Sequence, residues 1–340
     1  MPDRNSSASD AAGQQPVGVQ AALLALLTAA LWGGTPAAIK FAVESFSAVT
    51  VAGLRFALGA AFMVVWCRLE GTPLWPRQGQ WGAVTVAGVL LFLQISLFNI
   101  GVAWSNASHG SLMINTFVFW VVLIEHFITR VDRLTPRKCV GLVVAASGAV
   151  LVLLTDGSTA SEATSAAIAT AAPGDVSAAA RYTGNVSSLL GDLLLLISAL
   201  VLAVKIVFIK RSLNHVEPAK LILWHDLVGV VLFGAYAVTF EQPIHSAITI
   251  DALLGVAYQG VLVAGLCFAI QTMLLRRHSA SRISMFSFAT PLFGIAAGVA
   301  LRGDLLSPWL LASAACVAFG IALVNMQPRS RDAALQDVGR

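Results

Sequence analysis

Four ionisable side chains stand inside stretches otherwise apolar enough for hydrocarbon: Lys40, Arg55, Lys205 and Asp226. A charge at the centre of an inserted helix costs about 2.5–3.5 kcal/mol, so such groups are kept where they face a cavity, a ligand or a charged partner. Lys40 lies near the end of its stretch beside Glu44 and is expected to stay at the interface. Arg55 is deeper. Its guanidinium either pairs structurally or clamps a carboxylate or phosphate in a bidentate fork. Lys205 and Asp226 either pair with each other or line the same cavity, and the lysine is also long enough to snorkel about one turn to the interface. His225 and His126 are expected at the interface.

Uncharged polar groups extend the pattern. Asn99 and Gln271 are amides in apolar surroundings, each suited to a cavity wall or to an interhelical hydrogen bond. Gln94 lies about 140° from Asn99 around one helix, so the two are not expected on one wall. Ser111, Asn115 and Glu125 fall along one stripe. Glu125 is a candidate proton carrier, because burial raises a carboxyl's pKa, and it is equally placed to pair with Arg130 near the inner face. Trp32 and Trp224 fall within apolar stretches, where a ring can stack on a substrate or simply pack. The candidate substrate-binding set is therefore Trp32, Arg55, Asn99, Asn115, Lys205, Asp226 and Gln271. No paired carboxylates, no His/Cys metal spacing and no Ser-His-Asp set occur, so no catalytic residue, metal or cofactor is expected. A Walker-type phosphate loop is also missing, which points to a gradient as the energy source.

These residues must be positioned by membrane helices. Apolar residues make up 57% of the 340, charged residues 11%, and mean hydropathy is +0.81, outside the soluble globular range. With about 20 apolar residues needed per crossing, we read ten spans at roughly 18–40, 48–67, 81–103, 108–129, 138–154, 188–209, 218–240, 251–274, 283–301 and 307–326. They fall into two sets of five. Advancing by 172 positions carries Gly88 to Gly260, Asp132 to Asp304, Leu134 to Leu306, Pro136 to Pro308 and Gly148 to Gly320. The same kind of step brings Asn99 to Gln271, and a step of 171 brings Arg55 to Asp226. Because five is odd, the second set must be inverted in the bilayer. The predicted fold is thus all-α and integral to the membrane, with ten transmembrane helices as two inverted five-helix repeats. Such repeats commonly hold substrate near the midplane where the halves meet.

The expected organisation is a disordered cytoplasmic tail over 1–16, a first repeat over 17–155, a flexible outer linker over 156–187, a second repeat over 188–327 and a second cytoplasmic tail over 328–340. The linker contains ATSAAIATAAPGDVSAAA, too poor in large apolar residues to demand order. With the N-terminus inside, sixteen of the twenty-one Lys and Arg fall on inner segments and only Lys40, Arg181 and Arg302 on outer ones. This positive-inside bias predicts that both termini are cytoplasmic. It also accounts for the pI near 9.1, so no nucleic-acid partner is expected. The expected partners are a small-molecule substrate and the lipid bilayer, with a homodimer left open. Cys67, Cys139, Cys267 and Cys316 lie within or at the ends of spans and suggest no disulfide framework.

The first span carries AALWGGTPAAIKFA and the second LRFALGAAF. The fourth and ninth open SNASHGSLMINTF and HSASRISMFSFATPLF, and the repeats close with RVDRLTPRKCVGLVVAASGAVLVL and LRGDLLSPWLLASAACVAFGIALVN. In this order and spacing the chain resembles the EamA-like proteins of the drug/metabolite transporter superfamily. Pro291 keeps the proline typical of that family's fourth span, whereas the first copy has Phe119, and both closing runs use Asp where Glu is usual. The resemblance implies a ten-helix secondary transporter that exports a small organic metabolite, amino acid or drug across a bacterial inner membrane by alternating access. A channel, or a structural or regulatory membrane protein without transport, is the alternative.

Overall fold

The computed structural model describes residues 18–129, 136–137, 139–141, 143–144, 146–148, 150–151, 188–213, 215–241, 247–277, 286, 289–304 and 306–325, and every regular element among them is helical. The predicted linker and both tails lie outside the described residues. Seven helices are long and apolar enough to cross a membrane: α1 (Val19–Ala42), α2 (Ala48–Glu70), α3 (Trp81–Trp104), α4 (Ala107–Ile128), α6 (Leu189–Ser212), α7 (Pro218–Phe240) and α8, of which Ile250–Gln271 is the apolar part. The described residues also hold three shorter apolar helices, α5 (Cys139–Gly148), α9 (Thr290–Arg302) and α10 (Pro308–Asn325).

In lipid every backbone N–H and C=O must be satisfied within the segment, which drives these leucine- and valine-rich stretches into helices, and little polarity divides one face from another. The outward faces remain apolar, with Leu54, Leu58, Val65, Leu193, Ile197, Val231 and Val238 all exposed. A helix hydrophobic all round is at home in lipid. What distinguishes the inward faces is small size. Glycine and alanine let backbones approach, which suits packing in a solvent as apolar as the side chains themselves.

The contacts form an exchanging pattern. Helices α2 and α7 pack on each other at the centre, α3 packs on both α7 and α6, and α8 packs on both α2 and α1. The start of α4 packs on α9. Glycines set the register. A Cβ built at Gly88 of α3 would lie 2.5 Å from Val228 Cβ and 3.2 Å from the His225 carbonyl of α7. At Gly260 of α8 it would lie 2.5 Å from Leu58 Cβ and 3.1 Å from the Arg55 carbonyl of α2. The two glycines are repeat mates, so Arg55 corresponds to His225 and Leu58 to Val228, a step of 170 rather than 171. The one-residue difference makes His225, not Asp226, the packing counterpart of Arg55.

Several helices are interrupted. α1 breaks at Gly34, where Thr35–Pro36 starts a new segment because proline cannot donate to the preceding turn. Tyr258 of α8 donates its hydroxyl to the Leu31 carbonyl at this break, at 2.6 Å. α4 breaks at Asn115–Thr116, where both side chains bond back to their own helix (Asn115 Nδ2 to Ser111 O, 2.7 Å; Thr116 Oγ1 to Met113 O, 2.7 Å). π-helical turns occupy Glu125–Thr129, Tyr258–Cys267 and Gly298–Arg302.

At one end of the bundle, polar ties join segments from the two halves of the chain. Glu241, after α7, accepts from the Val49 and Thr50 amides and the Thr50 hydroxyl at 2.8, 2.9 and 2.8 Å, which satisfies orphan donors at the start of α2. Arg302 pairs with Glu44 at 2.7 Å, and Asp304 Oδ2 accepts from the Ser108 amide and hydroxyl, both at 2.8 Å. Asp192 accepts from Ser105 at 2.5 Å and lies 3.1 Å from His109 Nδ1.

Candidate functional site

The centre of the bundle is where α2 crosses α7, and its geometry follows from Gly59. A Cβ built there would lie 2.8 Å from Ala264 Cβ and 3.5 Å from Asp226 Oδ2. The bare backbone of α2 thus leaves room for the Asp226 carboxylate from α7. Arg55 is one turn away on the same face of α2, a rise of about 6 Å. Arg55, Lys205 and Asp226 lie within electrostatic reach of one another, with Tyr258 and Cys267 of α8 beside Arg55. Arg55 and Lys205 are each 5% exposed and Asp226 is fully buried.

Their hydrogen-bond capacity is left open. Arg55 Nε and Nη1 have no partner, and neither does Asp226 Oδ1 or Oδ2. His225 Nδ1 approaches Asp226 Oδ1 to 2.7 Å, an ion-pair distance when the imidazole is protonated, and also lies 3.3 Å from the Ile222 carbonyl of its own helix, which leaves Asp226 Oδ2 as the fully open acceptor. His225 Nε2 is also open. Buried groups of this kind nearly always find partners, and each exception calls for an explanation. Donors and acceptors both stand open within one cluster without joining each other. That is the arrangement expected where a polar solute completes the bonds.

Lys205 follows a different course. It donates to Gln94 Oε1 at 2.9 Å instead of pairing with Asp226, and Gln94 Nε2 in turn lies 3.2 Å from Ser198 Oγ. Its ammonium therefore rests on a neutral amide. Aromatic rings form the apolar boundary. The Arg55 guanidinium stands 4.9 Å from the Phe56 centroid, Phe56 stacks on Phe233 at 5.8 Å, and His225 meets Phe56 and Phe268 edge-on at 6.3 Å. Trp32 joins this wall through Phe268, also at 6.3 Å.

The structure therefore brings together Arg55, Lys205, Asp226 and, through the aromatic wall, Trp32. Asn99 is fully buried and donates to the Ala48 carbonyl at 2.9 Å, tying α3 to the start of α2, with its Oδ1 open. Asn115 donates its Nδ2 back to the Ser111 carbonyl of its own helix. Gln271 is half-buried, three residues beyond Phe268. Only the backbone of Glu125 is described, at the start of its π-helical turn. Trp224 donates to the Leu74 carbonyl at 2.7 Å, away from the cluster. Lys40 donates to Ala103 O at 3.2 Å. His225, expected at the interface, is fully buried in the centre. Gln94 and Asn99 do address different helices, but Gln94 is the one that reaches a charge. The signal for His225 was its place beside Asp226, eight residues inside an apolar helix.

Helices apolar all round, folded about buried charges whose bonding capacity is open, define a multi-pass membrane protein. Comparison with known proteins gives the class its name. The EamA-like transporter family model matches twice, over residues 19–154 and 189–326, and the chain belongs to that family. It is similar to proteins of Escherichia coli and Salmonella typhimurium, each described as a probable amino-acid metabolite efflux pump, at 25% identity (84% of this chain, 88% of the relative) and 26% (88% and 92%). An uncharacterized transporter of Bacillus subtilis is 20% identical over 78% of this chain and 82% of its own. A crystal structure 18% identical superposes with a TM-score of 0.62, covering 89% of this chain and 96% of the other, and shares the fold. The chain is a secondary transporter of small metabolites, and its relatives are named for transport rather than catalysis.

Proposed function

We propose that this protein exports a small zwitterionic or anionic metabolite, such as an amino acid, across the bacterial inner membrane. Transport proceeds by alternating access between two inverted five-helix repeats, 17–155 and 188–327, with all ten helices spanning the bilayer and both termini cytoplasmic. One observation carries the reading. Unpartnered donors on Arg55 and unpartnered acceptors on Asp226 share a buried site at the crossing of α2 and α7, which are contributed by different halves of the chain. A guanidinium takes a carboxylate in a bidentate fork, and a carboxylate takes an ammonium. A quaternary cation would leave Arg55 and Lys205 uncompensated.

The exchanged helix contacts support a two-fold relation between the repeats, and the names of the two enterobacterial relatives favour an amino-acid-like solute moving outward. The positive-inside bias supports the orientation, in which the tied end of the bundle is the outer one. Trp32, Asn99, Asn115 and Gln271 complete the proposed substrate-binding set, and Glu125 is the proton-coupling candidate. A homodimer is compatible with the site, which one chain completes by itself.

Purified protein in sealed vesicles tests the reading. Counterflow of a labelled metabolite should saturate and need no ATP. Arg55→Gln and Asp226→Asn should abolish it while keeping a monodisperse, membrane-inserted protein. Linear, non-saturating flux without counterflow would identify a channel, and transport by both variants at the parent rate would remove the site.

A further inference from the structure

We infer that the central cluster selects a substrate with two anionic groups and one ammonium, an acidic α-amino acid or a close analogue, over neutral amino acids. The inference rests on the carrier reading above and names the substrate class of that same site. The argument is a charge count. Arg55 and Lys205 bring two cations into a centre where each is 5% exposed, and among the described side chains the carboxylate in reach is Asp226. Among the described residues neither cation forms an ion pair. Lys205 is bonded to the neutral Gln94 amide, and Arg55 leaves Nε and Nη1 open.

The groups around the cluster do not alter this balance. From α8 come Tyr258 and Cys267, uncharged in their ordinary forms, and from α3 comes Gln94. From α7 comes His225, whose Nδ1 is already at Asp226. The empty site therefore carries an excess of positive charge in surroundings that solvate charge poorly. A neutral zwitterion would add one carboxylate and one ammonium and leave that excess in place. A solute of net charge minus one cancels it.

Placement fits the same solute. The Asp226 carboxylate faces Gly59, one turn along α2 from Arg55, so the α-ammonium can meet Asp226 while the α-carboxylate meets the fork of Arg55. A second carboxylate on the side chain reaches toward Lys205, on the opposite helix α6, and replaces the neutral oxygen of Gln94. The aromatic wall from Phe56 and Phe268 excludes water from the pair.

The test uses the full chain in proteoliposomes, with counterflow of labelled L-glutamate and L-aspartate measured against L-glutamine, L-asparagine and L-leucine. The expected wild-type preference for each acid over its amide is about tenfold or more, since a site built for a polar group rejects the analogue that lacks it. K205Q should lose that preference, the acid-to-amide transport ratio falling about tenfold. K205R should keep it. If K205Q does not fold, the wild-type ratio decides alone. Equal transport of glutamine and glutamate by the wild type, or an unchanged ratio in folded K205Q, overturns the inference and leaves the amino-acid carrier standing. Saturable transport of other metabolites with no response to any amino acid overturns the amino-acid reading as well.

Discussion

Replacing Arg55 by glutamine separates a functional charge from a structural one, because the two roles predict opposite signs for stability. If Arg55 were half of a structural ion pair, removing it would strand a buried carboxylate and cost about 3–5 kcal/mol. Instead its Nε and Nη1 have no partner, and its visible compensation is the Phe56 ring at 4.9 Å. A cation–π contact is worth about 0.5–2 kcal/mol, against a desolvation cost of several kcal/mol for a buried ion. The expected result is therefore a net gain of about 1 kcal/mol or more, seen as a detergent-solubilised Tm raised by about 2–4 °C per kcal/mol. Transport should move the other way. Two charge-assisted hydrogen bonds to a substrate carboxylate, at about 1.5–3 kcal/mol each and not fully additive, predict a loss of about 10²–10³-fold in uptake efficiency. Paired melts and counterflow measurements on Arg55→Gln give both numbers. A Tm lowered by several degrees, or uptake within about threefold of the parent, would refute the reasoning.

Further perturbations test other parts of the structure. Gly260→Val and Gly88→Val should each destabilise by about 1–3 kcal/mol, because the new side chain meets backbone and Cβ atoms of the facing helix, and thermal melts should show similar losses for both repeat mates. Glu241→Gln should lower Tm by the equivalent of about 1 kcal/mol, since the charge that caps the Val49 and Thr50 amides is lost. The bond from Lys220 holds the Glu217 carboxyl below its usual range, so its stabilising effect is full above the ordinary glutamate value of about 4.3 and fades as pH falls through the lowered one. Lys220→Met should flatten that acid limb in a pH series of melts. A cysteine at position 163 should react with impermeant reagent from outside the cell; cytoplasmic labelling would overturn the orientation.

Hydropathy located the seven helices long and apolar enough to cross a membrane, because lipid and the bundle interior both demand apolar residues and a buried charge stands out against them. The break in α1 has its cause in the sequence at Gly34 and Pro36, a backbone signal that hydropathy does not carry. The break at Asn115–Thr116 was not legible: the first copy carries Phe119 where the second has Pro291, and the side-chain bonds that interrupt α4 have no sequence signature. Partner choice also escaped prediction. Lys205 reaches Gln94 rather than Asp226, and the correspondence of α2 with α7 runs one residue off the step of 171. Both depend on helix rotation and on loop lengths, which periodicity within one helix cannot report.

The open charges also bear on how binding and motion are linked. A ligand shifts a conformational equilibrium only by its differential affinity for the two states. In the conformation described, Arg55, Lys205 and Asp226 are already desolvated, so the cost of burying them falls on the empty protein. A substrate that completes their bonds recovers that cost here. It recovers far less in any state that opens the cluster to water, where hydration already satisfies the same groups. Among the ties across one end of the bundle, the partly exposed Glu44–Arg302 pair is a weak one, contributing about 0–1 kcal/mol. Occupancy of the central charges then adds to the end ties in deciding which conformation is populated. Weakening a tie with Glu44→Gln should therefore change the empty protein more than the loaded one. Arg55→Gln should remove the difference between them, measured as the substrate-induced shift in Tm. An undiminished shift in Arg55→Gln would place the coupling elsewhere.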